Sequence, residues 1–218
     1  RVPGVRPTLG APMRRLRTKE STARAARRTA GYTLVEMMVA LSVAVILGSI
    51  AIPSMRTMLL NSRLTSAAND LLASVNRART EALKQQAPTV LCFTANPAAS
   101  NPTCDYAAAR GWIVFVDTNG DWAYGSGETI LERHAPLDST LTVKTDGDAI
   151  VAFAPTGFAA PSAARQALRN AVFCDARGVV ATPPTSTARA LVVSTTGRAR
   201  TVATQSDVLA ALAGASCP

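Results

Sequence analysis

The chain has 218 residues, enough for one domain of ordinary size and an additional segment. At 48% hydrophobic and 17% charged residues it is too apolar for bulk disorder. Its formal charge of +9 does not describe a uniformly basic protein that wraps nucleic acid. Residues 1–31 hold nine Arg or Lys against Glu20, a net +8, and the remainder nets only +1.

Residues 1–31 are rich in Arg, Ala, Thr and Pro, show no apolar periodicity and read as a cytoplasmic leader outside the folded structure. The chain opens on Arg1, and Met13 is a second candidate start. From Leu34 to Ile52 nineteen residues carry a single charge, Glu36. As a helix this run spans about 28 Å, close to the ~30 Å hydrocarbon core of a bilayer. The basic block lies before it, so the expected orientation leaves the N-terminus in the cytoplasm and the C-terminus exported. No second run of that length occurs, which predicts a single pass.

An amphipathic stretch follows from Ser54 to Gln86. Leu64, Ala68, Leu71, Val75, Ala78 and Ala82 recur at intervals of four and three, one face of a helix, while Asn61, Arg63, Asn69, Arg77 and Lys84 fall elsewhere. Pro88 predicts its end. One helix from Tyr32 to about Gln86 would be about 80 Å long. Pro53 removes a backbone donor inside it, and Gly48 weakens the same stretch, so a bend is expected there.

Beyond Pro88 the period changes to two. Strands are predicted at Thr89–Thr94, Trp112–Asp117, Thr129–Arg133, Thr140–Thr145, Ala149–Ala154, Ala171–Cys174, Ala190–Thr195 and Ala199–Ala203, with loops at Asn96–Pro102 and Ala181–Thr187. Turn pairs Asn119-Gly120, Asp146-Gly147 and Thr196-Gly197 separate several of them. No strand–helix alternation occurs, so the expected class is α+β: a long N-terminal helix packed on an antiparallel β-sheet head. The predicted division is 1–31 leader, 32–53 membrane-spanning helix, 54–87 amphipathic helix and 88–218 β-rich exported head.

Four cysteines, Cys92, Cys104, Cys174 and Cys217, fit an exported head. They allow three disulfide connectivities or four buried thiols; the nearest-neighbour pairs Cys92–Cys104 and Cys174–Cys217 are expected. The absence of CxxC argues against a zinc ribbon or a thioredoxin-like site. Asp117-Thr118-Asn119-Gly120-Asp121 begins like a calcium loop but without the full spacing and closing glutamate of an EF-hand, whereas Asn-Gly between apolar runs signals a two-residue hairpin. A turn is expected, with Trp112 and Trp122 packing the core or hairpin. The lone histidine, His134, and the lack of GxSxG or HExxH give catalysis no support, and no cofactor is expected.

The residues around the start of the apolar run carry the functional reading. A carboxylate within a membrane span costs about 2.5–3.5 kcal/mol even on permissive scales, so Glu36 either sits near the head groups or has a use. Its context is Arg27-Arg28-Thr29-Ala30-Gly31-Tyr32-Thr33-Leu34-Val35-Glu36. This resembles the processing site of type IV pilins and type II secretion pseudopilins. The resemblance implies cleavage between Gly31 and Tyr32 by a membrane-embedded prepilin peptidase and N-methylation of Tyr32. It also implies that Glu36 meets the new amino group of Tyr32 on a neighbouring subunit within a filament, so that 32–53 is also the polymerisation helix. Tyr stands where the family more often has Phe, the leader is longer than is usual, and Pro53 falls where the family often has proline. A conventional secretory signal cut near Gly48–Ala51 is the competing reading. The run is longer than a typical apolar signal core, though, and such a signal has no use for Glu36. Twin-arginine export through Arg27-Arg28 rests on two arginines of an Arg-rich tail.

The resemblance extends into the head. Asn61-Ser62-Arg63-Leu64, Ala78-Arg79-Thr80-Glu81-Ala82, Gly111–Asp117 with Asn119-Gly120-Asp121, Phe173-Cys174-Asp175 and Leu191–Arg200 look like the GspH/FimT group of minor pilins and pseudopilins. In its FimT-like branch a Gly-Arg-x-Arg element is associated with DNA capture during natural transformation, which implies that role for Gly197-Arg198-Ala199-Arg200. Arg198 and Arg200 on one strand point to the same side about 7 Å apart, a spacing that suits sequence-independent phosphate contacts on double-stranded DNA. Residues 163–218 net +4 and residues 101–150 net −5, so the head is polarised. The plain alternative is a solvated hairpin whose arginines keep an edge strand soluble. The function expected is that of a minor subunit of a type IV pilus, with other pilins, the prepilin peptidase, the inner membrane and DNA as partners. A type II secretion pseudopilin without DNA binding is the alternative.

Overall fold

A computed structural model describes residues 31–105, 109–148, 150–160, 169–179 and 185–217; the leader before Gly31 and most of the predicted loop Ala181–Thr187 lie outside them. Helix α1 runs Leu34–Gln85 and continues as helix through Pro53, where Thr57 Oγ1 donates to the Ser54 carbonyl at 2.8 Å. Up to Leu59 its side chains are exposed almost without exception. From Leu64 one face is buried: the stripe Leu64, Ala68, Leu71, Val75, Ala78 and Ala82, flanked by Ala67 and Ser74. Gln86 then turns to φ 52° and the chain leaves the helix before Pro88.

Among the described residues eight strands follow: β1 Thr89–Thr94, β2 Gly111–Val116, β3 Thr129–Arg133, β4 Thr142–Thr145, β5 Ile150–Phe153, β6 Asn170–Cys174, β7 Thr185–Val193 and β8 Ala199–Thr204. They form two antiparallel four-stranded sheets, ordered β3-β2-β1-β5 and β4-β6-β7-β8. In the first sheet, alternation sends Leu91 and Phe93 of β1 and Trp112 and Val114 of β2 to the α1 side. Val90, Cys92, Ile113 and Phe115 point the other way, where Trp122 and the Cys92–Cys104 disulfide cover them. In the second sheet, Ala171, Phe173, Leu191 and Val193 face the same α1-centred core. The far face, with Val172, Ala190 and Val202, lies under a short second helix, α2 Gln205–Leu212. Cys174–Cys217 ties the segment after α2 back to β6. Both sheets are therefore lined on one side by the same stripe of one helix.

Trp112 sits where the sheets meet. It is fully buried, edge-on to Phe93 at 5.9 Å and to Phe173 of the other sheet at 6.5 Å. Its indole N–H donates to Ser74 Oγ at 2.9 Å, and Ser74 in turn donates to Glu132 Oε1 at 2.6 Å. This explains a serine on the buried face of α1: it satisfies the one polar atom of the largest core side chain.

The head is antiparallel β packed on the long helix, as expected, and its strands divide between two sheets. Three expectations are corrected. Strand β7 begins at Thr185, inside the predicted loop, and ends at Val193. Helix α2 occupies the stretch after β8, where no element was predicted; Thr204 Oγ1 donates to Asp207 Oδ2 at 2.6 Å at its start, and Ala213 in the left-handed region closes it. The Asn119-Gly120 pair does not make a two-residue hairpin, because β2 and β3 are joined by the whole of 117–128. There the buried Asp117 carboxylate takes the backbone N–H of Gly120 at 2.7 Å and of Trp122 at 3.1 Å, which folds the loop inward.

Replacing Ser74 with Ala strands the buried Trp112 N–H. We expect a loss of about 1–3 kcal/mol in the unfolding free energy of the detergent-solubilised chain, read from denaturant curves followed by tryptophan fluorescence.

Candidate functional site

Two regions hold the residues singled out in the sequence. The first is the start of α1. Thr33 caps the helix: its Oγ1 accepts the Glu36 N–H at 3.2 Å and its carbonyl accepts the Met37 N–H at 3.2 Å. Thr33 and Glu36 thus stand at the N-cap and N3 positions of a Thr-x-x-Glu start, where an acidic side chain also suits the helix dipole. Sequence reasoning passes over this local role of Thr33. Tyr32 is 74% exposed, and Glu36 lies one turn on, with Leu34, Val35, Met37 and Met38 exposed around it. The Glu36 carboxylate has no hydrogen-bond or ion-pair partner among the described residues. A Cβ on Gly31 would meet nothing within 4 Å. Among the described residues nothing requires glycine there.

The second region is the β7–β8 hairpin. Its turn closes with Gly197 N donating to Ser194 O at 2.9 Å and Ser194 N to Arg198 O at 2.9 Å. Gly197 has φ 76°, and a Cβ there would overlap the Gly157 carbonyl oxygen, so both conformation and space demand glycine. Arg79 of α1 pins this turn. Its Nε donates to Gly157 O at 2.9 Å and its Nη2 to Thr196 O at 3.3 Å. Val192 pairs with Arg200, and by alternation Arg198 and Arg200 share the face of the second sheet that lies away from the α1 core. Both are exposed, and neither side chain has a partner among the described residues.

The other arginines of this half divide cleanly. Arg177 grips the buried Asp175 with Nε on Oδ1 at 3.0 Å and Nη2 on Oδ2 at 2.5 Å. Burial pulls the Asp175 carboxyl upward, but hydrogen bonds from the Arg177 side chain and amide and the guanidinium charge outweigh it and hold the group below its usual range. Arg189 donates to the carbonyls of Ser186, Thr187 and Ala188; burial first, then the charge of Arg177, lowers its pKa. Arg169 is exposed, and its backbone carbonyl takes the Val193 N–H at 2.7 Å. Arg165 lies outside the described residues. Charge counting along the sequence overstates the available cation, because Arg177 and Arg189 are spent on the fold.

His134 stacks on Trp112 at 3.7 Å with its Nε2 3.7 Å from Asp70 Oδ2. With Ser74, Arg77 and Glu132 it lines a polar cleft of about 450 Å³, a packing role for the lone histidine. In the 117–128 loop Glu128, which sequence reasoning also passes over, takes the N–H of Thr118 and of Gly125, each at 2.9 Å. Trp122 is buried there. The loop carboxylates are turned to backbone amides.

Gly197→Ala meets both the left-handed backbone and the Gly157 carbonyl. We expect it to lower the unfolding free energy by at least about 1–2 kcal/mol, whereas Gly31→Ala leaves the thermal midpoint unchanged.

Comparison with known proteins places these features. Residues 67–203 match the family of type II transport protein GspH. Residues 26–52, which include Gly31, Tyr32 and Glu36, match the prokaryotic N-terminal methylation motif. No curated protein matches the chain. Among solved structures it is similar to the type IV minor pilin FimU of Pseudomonas aeruginosa in two crystal forms. Identity is 23% in both, over 64% of this chain and 87% or 92% of that one, with TM-scores of 0.43 and 0.41. The GspH match spans most of the head and the buried half of α1, and the chain belongs to that family of pilin-like subunits of type IV pili and type II secretion systems.

Proposed function

We propose that this chain is a minor subunit of a type IV pilus, made as a precursor that is cut between Gly31 and Tyr32 and then N-methylated on Tyr32. The observation that carries the reading is the ordered start. A basic leader, Gly31 and an exposed aromatic precede a helix that carries Glu36 in its first turn and is apolar from Met37 to Ile52 apart from Ser42, Gly48 and Ser49, with its side chains exposed almost throughout. A helix that is apolar all round belongs in lipid or among other such helices. One end of that requirement is met by the inner membrane, with the N-terminus cytoplasmic and the head periplasmic. The other is met by the core of a filament. Glu36 has no partner among the described residues of its own chain, so in apolar surroundings it calls for a cation that these residues do not supply. The freed amino group of another subunit's Tyr32 is such a cation. The openness at Gly31 supports cleavage, because it leaves the need for glycine to the peptidase.

The family's type II transport name favours a second reading, a pseudopilin of a secretion system, with the same processing and the same use of Glu36. Partner pilins co-assembling with the chain in cells separate the two.

We further propose that Arg198 and Arg200 contact the phosphates of DNA. Support comes from their exposure, their lack of partners among the described residues and the rigid turn that presents them. A pilus subunit with this pair would serve DNA capture in natural transformation.

Glu36→Gln should leave the subunit in the membrane and processed while its recovery in sheared filaments falls at least about tenfold; undiminished recovery would sink the pairing. Gly31→Val should accumulate the longer precursor on immunoblots. For DNA, Arg198→Ala with Arg200→Ala should weaken duplex binding by the purified chain regardless of sequence. The slope of log K against log salt should flatten by about 0.9 for each phosphate that is no longer neutralised.

A further inference from the structure

The arginine-bearing turn has an aromatic neighbour. The turn Ala154–Ala160 lies directly beside Ser194–Arg198. Ala159 N donates to Thr195 O at 3.3 Å, and the Gly157 carbonyl is the atom a side chain on Gly197 would strike. Arg79 donates to a carbonyl in each turn and holds the two together. The second turn is itself fixed: Gly157 N donates to Ala154 O at 2.8 Å and Ala154 N to Phe158 O at 3.0 Å. Gly157 has φ 75° and packs on Leu83. On this turn stands Phe158, 56% exposed. The other four phenylalanines and both tryptophans are buried. One exposed ring is unremarkable by itself. Its position is the informative part, next to the turn that presents two uncommitted guanidinium groups. Arg169 stands at the same end of the second sheet, where its carbonyl takes the Val193 N–H, but by alternation with Ala171 and Phe173 it belongs to the α1 side and not to the face of Arg198 and Arg200. Asp146 accepts the backbone N–H of Arg169 and Asn170 and the Asn170 side-chain amide on the Arg169 side of this end.

Cations that track phosphates beside an aromatic face that accepts a base are the elements of single-strand recognition. A duplex buries its base faces in its own stack and offers such a site phosphates alone. We infer that the paired turns form a site for single-stranded DNA, with phosphates on Arg198 and Arg200 and a base stacked on the ring of Phe158. The inference rests on the nucleic-acid reading of Arg198 and Arg200, and it changes the preferred ligand from a duplex to an unpaired strand or a frayed end.

The test uses the full chain in detergent micelles at low salt, with fluorescence anisotropy of a labelled oligothymidylate, the same strand with abasic sites, and a blunt hairpin duplex of equal length. The native chain should bind the oligothymidylate more tightly than the abasic strand or the duplex. Phe158→Ala should weaken oligothymidylate binding about tenfold, the factor that 1.4 kcal/mol of lost stacking produces, and leave duplex binding unchanged. Phe158→Trp should retain or tighten it. Arg198→Ala with Arg200→Ala should weaken both ligands. If Phe158→Ala weakens neither ligand, or both alike, or if the abasic strand binds as well as oligothymidylate, stacking is overturned and the phosphate reading of the arginines stands. If the native chain binds no oligonucleotide, both readings fall.

Discussion

One helix face seals two sheets. The stripe from Leu64 to Ala82 lies against Leu91, Phe93 and Trp112 of the first sheet and against Phe173 and Leu191 of the second. The stripe mixes small and large residues: Ala68, Ala78 and Ala82 let strands approach, while Leu64, Leu71 and Val75 fill the space beside them. Burying a side chain such as Leu71 contributes about 1.5–3 kcal/mol, and each one here contributes to a core shared by both sheets. The consequence is that neither sheet has an independent core on that side. The second sheet answers with α2 on its other face, and the first with the 117–128 loop and the Cys92–Cys104 link. The exposed half of α1 before Leu60 has no such stripe, which is why its apolar surface must be answered by lipid or by other subunits.

Much of this was legible from spacing alone. The four-three interval of the buried stripe needs only the helical period, and Pro88 marks its end. Strands β1 and β3 are bounded by clear breaks, and their limits follow from them. What escaped the sequence is what depends on distant partners. The Asn119-Gly120 pair is a strong local hairpin signal, yet Asp117 gathers the amides of Gly120 and Trp122 and draws the loop over the outer face of β1 and β2. Helix α2 is only two turns of mostly small residues, and its Val208, Ala211 and Leu212 make sense only once the sheet face beneath them is known. Strand β7 reaches back to Thr185 because Ser186 and Thr187 bond to Val179 and Gly178, contacts no period reveals. The division of strands into two sheets is likewise a matter of pairing, on which alternation is silent.

The candidate site shows the same split. Alternation alone puts Arg198 and Arg200 on one side of β8, and the order of Gly31, Tyr32 and Glu36 is plain in the sequence. Which charges are free is not. Arg177 and Arg189 look as available as Arg198 in a charge count, but one is locked onto Asp175 and the other onto three carbonyls. Thr33 is equally easy to overlook, since its side chain contributes a single hydrogen bond, accepted from the amide of Glu36. That bond gives the acidic residue a fixed place at the head of the helix before any neighbour is considered.

The placement of Arg198 at the tip of a hairpin has a mechanical side. A ligand held there and pulled outward would load β7 and β8 along their lengths. The cross-strand bonds to β6 run perpendicular to that direction, so they would resist together, in shear, and would not open one after another as in a zipper. Arg79 would pass part of the same tension from the tip into α1 through Thr196. A hairpin built this way is suited to holding on under traction.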